Sequence, residues 1–167
     1  MQRLSPQPDE PPRPLGLLIA GARRSIKQAA TRRLGRRRLS PQQFWLLTAL
    51  HEQPCPSLRE LAERRLMDSP TASRMVEVLV RRGLVRIEGC PEDRRRRKVA
   101  LTEKGAILAR DLLPLALELR EVIQAGFSVK EAETFRRMLL RVIANVEHLE
   151  KNGGAVAVRR VSARRTK

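Results

Sequence analysis

Between Ser57 and Leu101 the apolar residues recur first at three- and four-residue spacing and then, beyond one glycine, at every second residue. A chain that changes period in this way has room for two short helices and a hairpin, and for little else. Ser57 is expected to cap a first helix over Leu58 to Leu66, with Leu58, Leu61, Ala62 and Arg65 in helical register. The turn falls at Met67 and Asp68. Ser69 is then the expected N-cap of a second helix and Pro70 its first residue, where a missing N–H costs nothing. Its inward stripe reads Ala72, Met75, Val76, Leu79 and Val80, leaving Thr71, Ser73, Arg74, Glu77, Val78 and Arg81 on or near the outer face. Arg82 followed by Gly83 closes it, since glycine supplies the left-handed residue after a helix.

The strands are expected over Leu84 to Ile87 and Lys98 to Leu101. The hairpin tip, Glu88 to Arg97, then carries Arg94, Arg95, Arg96 and Arg97 in succession. Such a run is either a solvated charge cluster or a probe for phosphates and the minor groove. The basic, polar start of the preceding helix favours the probe, because phosphate neutralisation dominates DNA affinity and narrow minor grooves attract arginine.

Several pieces together resemble the MarR family of transcriptional regulators. They are Leu61-Ala62-Glu63-Arg64, Ser69 to Arg74, Leu79 to Val85, Asp93-Arg94-Arg95, and Leu101-Thr102-Glu103-Lys104-Gly105. The Asp-Arg-Arg wing followed by Leu-Thr-Glu-x-Gly is the most specific part, and the resemblance spans roughly residues 15 to 150. It implies a mainly α fold with a small β-hairpin wing, a winged helix-turn-helix lobe over 57–101, and helical dimerisation regions over 15–35 and 103–150. It also implies a homodimer that sets two recognition helices about one DNA turn apart on an inverted-repeat operator. The expected DNA-binding residues are Ser69, Thr71, Ala72, Ser73 and Arg74 at the start of the recognition helix, and Arg94, Arg95, Arg96 and Arg97 in the wing. By the same resemblance Asp93 orients the wing, Arg95 enters the minor groove and the other wing arginines meet phosphates. A small, often anionic or aromatic effector in a cleft walled by the first, second and fifth helices is a further implication.

Composition narrows the partners. Lys and Arg number 35 against 18 Asp and Glu, a net charge of +17, so a polyanion is expected. Aromatics make up 2%, which argues against the stacking platforms that single-strand and RNA readers use, and favours double-stranded DNA. No apolar stretch reaches the roughly 18 residues of a spanning helix and no signal-peptide pattern opens the chain, so the expected location is cytoplasmic, on the nucleoid. No glycine-rich phosphate loop, nucleophile elbow or histidine–carboxylate set is present, and neither enzyme activity nor a cofactor is expected. Cys55 and Cys90 do not make a disulfide framework. Cys55 and Cys90 are candidates for a thiol switch, Cys90 standing beside the wing arginines where cations favour thiolate, although thiol-sensing relatives carry their cysteine near the start of the first long helix. His51 with Cys55 is too few donors for zinc. A sequence-independent basic nucleoid or RNA-binding protein is the alternative reading.

The remainder frames this lobe. Residues 1–14 are a proline-rich arm expected to be disordered. Leu15 to Leu34 forms an amphipathic helix with Arg23, Arg24, Lys27 and Arg32 opposite its apolar stripe, ended by Gly35 and followed by Arg36, Arg37 and Arg38. Ser40 and Pro41 start another, carrying Phe44, Leu47, Ala49 and Leu50 inward, with Trp45 at a boundary. Thr102 caps a long helix that contains Pro114 as an expected kink and ends at Gly126. Ser128 with Glu131 has capping-box spacing, and Phe135, Leu139, Val142, Val146 and Leu149 follow as a coiled-coil-like seam. Residues 151–167 form a basic tail.

Overall fold

The computed structural model describes residues 12–53, 57–90 and 93–151, apart from the side chains of Cys90, residues 93–96 and Lys151. The expectations for the N-terminal arm up to Pro11, for Pro54-Cys55-Pro56 and for the tail beyond Lys151 lie outside the described residues. The elements are α1 (Leu15–Leu34), a 3-10 turn (Gly35–Arg37), α2 (Pro41–Glu52), α3 (Leu58–Arg64), α4 (Ser69–Arg81), β1 (Val85–Cys90), β2 (Asp93–Leu101), α5 (Glu103–Gln124) and α6 (Val129–Lys151). They divide into two compact units, one reaching Ile123 and the other starting at Gln124.

Local chemistry sets most boundaries. Ser40 and Ser57 each accept from the amide three residues on, while the side chains of Gln43 and Glu60 bond back to their amides, two complete capping boxes. Gly35 and Gly83 close α1 and α4 with φ of +51° and +65°. Helix α3 stops two residues earlier than its apolar spacing predicts. Leu66 adopts φ +49°, and the Met67 amide bonds back to the Ala62 carbonyl, so the chain turns immediately before α4.

One core joins α1, α2, α3, α4, the wing root and α5: Leu34, Phe44, Leu47, Leu50, Leu61, Val76, Leu79, Val99, Leu112 and Leu119 are all buried within it. Each such aliphatic or aromatic side chain contributes roughly 1.5–3 kcal/mol on leaving water. Phe44 is fully buried and its ring lies 4.6 Å from that of half-buried Trp45. Along α4 the buried residues are Ala72, Val76 and Leu79. Val80, expected inward, is 38% exposed, whereas Val78 is partly covered. Ala72 and Leu79 stand seven residues apart on one stripe, and Val80 is turned a further 100° from Leu79, off that stripe.

The hairpin is antiparallel and longer than the alternation predicts, with Val85 opposite Leu101 and Gly89 opposite Arg97. Arg94 to Arg97 therefore lie along strand β2, not in a loop at the tip. The short apolar stretch at Lys98 to Leu101 is only the buried root of this strand. Ser57 forms an isolated antiparallel bridge to Lys98, tying the start of α3 to the hairpin.

Thr102 joins the hairpin to α5. Its amide donates to the Leu84 carbonyl at 3.1 Å and its hydroxyl to the Gly83 carbonyl at 2.7 Å. The same hydroxyl oxygen accepts the Gly105 amide at 3.0 Å, which makes Thr102 the N-cap of α5. In the second unit, Ser128 and Glu131 form the expected capping box, and the rings of Phe127 and Phe135 lie 5.9 Å apart. Leu139 and Val142 of the expected seam are partly covered, while Phe135, Val146 and Leu149 are exposed.

Candidate nucleic-acid interface

Helix α4 opens one residue earlier than predicted. Its N-cap is Asp68, and Pro70 stands at the second helical position. Both Asp68 and Ser69 are residue types that cap helices, so composition alone does not separate them. The Asp68 carboxylate accepts the Thr71 amide at 2.7 Å and the Thr71 hydroxyl at 2.8 Å. The amide bond first, and the hydroxyl bond after it, hold the Asp68 carboxyl below its ordinary value. The first turn of the helix is fixed by this cap.

Around that turn Ser69 and Arg74 are exposed, while Thr71 and Ser73 are partly covered. Arg74 Nε donates to the Pro70 carbonyl at 3.3 Å, and Ser73 Oγ lies 3.3 Å from Glu77. Ala72 is fully buried, so its side chain belongs to the core and not to the presented face. The start of α4 thus presents a polar turn with one exposed guanidinium, backed by Ala72, Val76 and Leu79.

At its other end α4 is held by Arg82, whose Nη1 donates to the Arg38 carbonyl at 2.9 Å and lies 3.3 Å from Gln43 Oε1. Arg82 was expected only to end the helix. Its reach back to the α1–α2 connection leaves no trace in the helical period.

On the wing, Arg97 is exposed and Lys98 partly covered. The side chains of Asp93, Arg94, Arg95 and Arg96 are outside the described residues. Arg86, on β1, forms an ion pair with Glu88 and donates through Nη1 to the Leu101 carbonyl at 2.7 Å, so it braces the root.

Elsewhere in this unit, α5 is tied to α2 by Arg120 and Glu52, 2.7 Å apart, and to α1 by Arg33 and Glu118, 2.5 Å apart. The hydrogen bond from Arg120 holds the Glu52 carboxyl below its usual range. Arg65 belongs to this neighbourhood: its guanidinium feels the charges of both Arg120 and Glu52, and burial lowers its pKa. Its Nε is buried without a hydrogen-bond partner among the described residues. Among the described residues no group of three metal-ligating side chains comes together, and no helix is long and apolar enough to cross a membrane.

Comparison with known proteins places this geometry. The family model described as MarR family matches residues 39–96, the span from the start of α2 to the wing arginines. The chain is 29% identical over 134 residues to the HTH-type transcriptional regulator MhqR of Bacillus subtilis, covering 80% of this chain and 92% of that one. The crystal structure of a mutant MarR from E. coli complexed with operator DNA is 25% identical, with a TM-score of 0.65 over 77% of this chain and 93% of that one. The PcaV transcriptional regulator of Streptomyces coelicolor, in complex with its natural ligand, is also 25% identical, with a TM-score of 0.66 over 78% and 92%.

Proposed function

We propose that this chain, a MarR-family winged helix-turn-helix transcriptional regulator, is a dimeric repressor that reads an inverted repeat in double-stranded DNA and is released by a small-molecule effector. The observation that carries this reading is the capped start of α4, which holds exposed Ser69 and Arg74 on a turn whose opposite side is buried. A rigid polar turn of this kind suits the major groove, where arginine takes guanine through O6 and N7. With the Thr71 hydroxyl engaged by Asp68, Thr71 has its methyl group to offer a thymine. Arg94 to Arg97 on β2 supply phosphate and minor-groove contacts, with Arg95 as the inserted residue and Asp93 as the residue that orients the strand.

Dimer formation is supported by apolar side chains that each unit leaves exposed: Leu15 and Leu17 on α1, and Phe135, Met138 and Val146 on α6. The effector reading is supported by the ligand-bound PcaV relative. A cytoplasmic location on the nucleoid follows from the work proposed. Selection of bound sites from a random duplex library at fixed physiological salt tests the central claim. An enriched inverted repeat with half-sites about one turn apart is expected. Flat enrichment would instead identify a basic protein that coats duplex DNA without reading it.

A further inference from the structure

Helix α4 carries one carboxylate along its 13 residues, that of Glu77. At about 100° per residue, Arg74, Glu77 and Arg81 stand roughly 140–200° round the helix from fully buried Ala72, and all three are exposed. The face that α4 turns away from the core is thus an acid flanked by two arginines. Pairing with such neighbours, three and four residues away, is the ordinary use of a helical glutamate. Among the described residues Glu77 pairs with neither. Arg74 is turned to the Pro70 carbonyl, and the Glu77 carboxylate accepts from the Ser73 hydroxyl at 3.3 Å. That contact is longer than the roughly 2.5–3.0 Å of a good O–H···O bond, and a carboxylate has about four acceptor positions, so most of its capacity stays open to solvent.

Against phosphates such a group subtracts from affinity, because neutralisation by cations is what supplies it. Against base edges the sign of its effect depends on the base. In the major groove guanine and thymine present acceptors, which repel a group that can only accept, whereas cytosine and adenine present an amino donor. Adenine sets N7 beside that donor, an arrangement served by a side chain with both a donor and an acceptor. Cytosine, with N4 alone, is the base that a carboxylate matches. We propose that Glu77 is a specificity-determining residue, which accepts from N4 of one cytosine in each half-site of the DNA.

The dimensions of α4 permit this. Pro70 and Glu77 are separated by about 10 Å of helix axis, the span over which single helices reach bases in homeodomain and zinc-finger complexes. From Arg74 to Glu77 the axial step is about 4.5 Å, against about 3.4 Å between successive bases, so the guanine proposed for Arg74 and the cytosine of Glu77 lie within about two base pairs of each other. The inference rests on the proposed reading of duplex DNA by α4 and adds to it the residue that rejects bases. It also gives the acid a purpose that a protein coating phosphates indiscriminately would lack.

The test selects sites from a random duplex library, at one fixed salt concentration, with the full chain as wild type, Glu77→Ala and Glu77→Gln. The wild type is expected to fix cytosine at one position of each half-site. Glu77→Ala is expected to lose preference at that position while the neighbouring positions stay as they are. Glu77→Gln is expected to gain adenine there, since its amide supplies both a donor and an acceptor. On the selected duplex, a thymine·adenine pair in place of the cytosine·guanine pair is expected to weaken the wild type about tenfold and Glu77→Ala little. Removing a negative charge raises affinity for every duplex alike, so it does not move a preference confined to one position. A wild-type motif without a fixed cytosine, cytosine retained by Glu77→Ala, or a broadening of all positions together overturns the proposal and leaves sequence reading by α4 intact. A wild type that selects no motif overturns the reading by α4, and the assignment of Glu77 with it.

Discussion

Gly105, in the first turn of α5, lies so close to Leu84 that a β-carbon at position 105 would stand 1.8 Å from the Leu84 carbonyl oxygen. That oxygen is already held by the Thr102 amide. The Gly-Leu-Val and Leu-Thr-Glu-x-Gly segments are thus two halves of one clasp. Threonine supplies its hydrogen bonds, and glycine permits the close approach of α5 to the chain leaving α4.

Gly105→Ala is accordingly expected to destabilise the fold by about 3 kcal/mol, because the obstructing atom is backbone and cannot swing aside. Thermal unfolding followed by circular dichroism measures this. Thr102→Val, which keeps the shape but loses the bonds to Gly83 and Gly105, is expected to cost about 1–2 kcal/mol. A Gly105→Ala protein that unfolds with the wild type would show that the approach is looser than described.

The Asp68 cap gives α4 a pH signature. Its carboxyl is held below the ordinary value in the folded chain, so its contribution is complete above the unfolded value of about 3.9 and is lost as pH falls through the lowered one. Asp68→Asn keeps an acceptor for the Thr71 amide but carries no charge. The wild type is therefore expected to melt above Asp68→Asn at neutral pH, with the difference closing on acidification below about pH 4. Melting curves collected in parallel across that range decide it.

Arg65 stands where apolar spacing would put an inward-facing residue, and its buried Nε has no partner among the described residues. Arg65→Leu removes an unsatisfied donor and a like charge near Arg120, and is expected to raise stability by about 1 kcal/mol. Lower stability in chemical denaturation would mean that the guanidinium has a partner that matters.

Two arginines of the proposed DNA-reading surface are expected to fail differently. Arg74→Ala should cost about 1–3 kcal/mol on the selected site and relax preference at one base position, whereas Arg97→Ala should weaken all duplexes alike and lower the salt slope by about 1. Binding isotherms on selected and scrambled duplexes at several salt concentrations separate the two. If Arg97→Ala changed base preference, the wing would be reading sequence.

How much of this was legible in the sequence depended on how local the cause was. Gly35, Gly83, Ser40, Ser57 and Ser128 act within a few residues, and their turns and caps fall where their residue types predict. The wing was underestimated because Arg94 to Arg97 shows no alternation of apolar and polar residues, the signal by which a half-buried strand is recognised. The cap of α4 was expected at Ser69 and lies at Asp68, because each residue type is a sound cap. Ala72 carried two readings at once, and burial assigns it to the core. The tie from Arg82 to Arg38 and the approach of Gly105 to Leu84 join positions far apart in the chain, where no period runs.

The clasp at Thr102 also makes the wing a lever. The nine residues of β2 reach about 25 Å beyond the point where the hairpin is fastened to α5, so a tilt of roughly ten degrees at that root would sweep the arginine-bearing arm through about 4 Å. Helix α5 and the arm cannot turn independently, and a small rotation of the one changes where the other can reach.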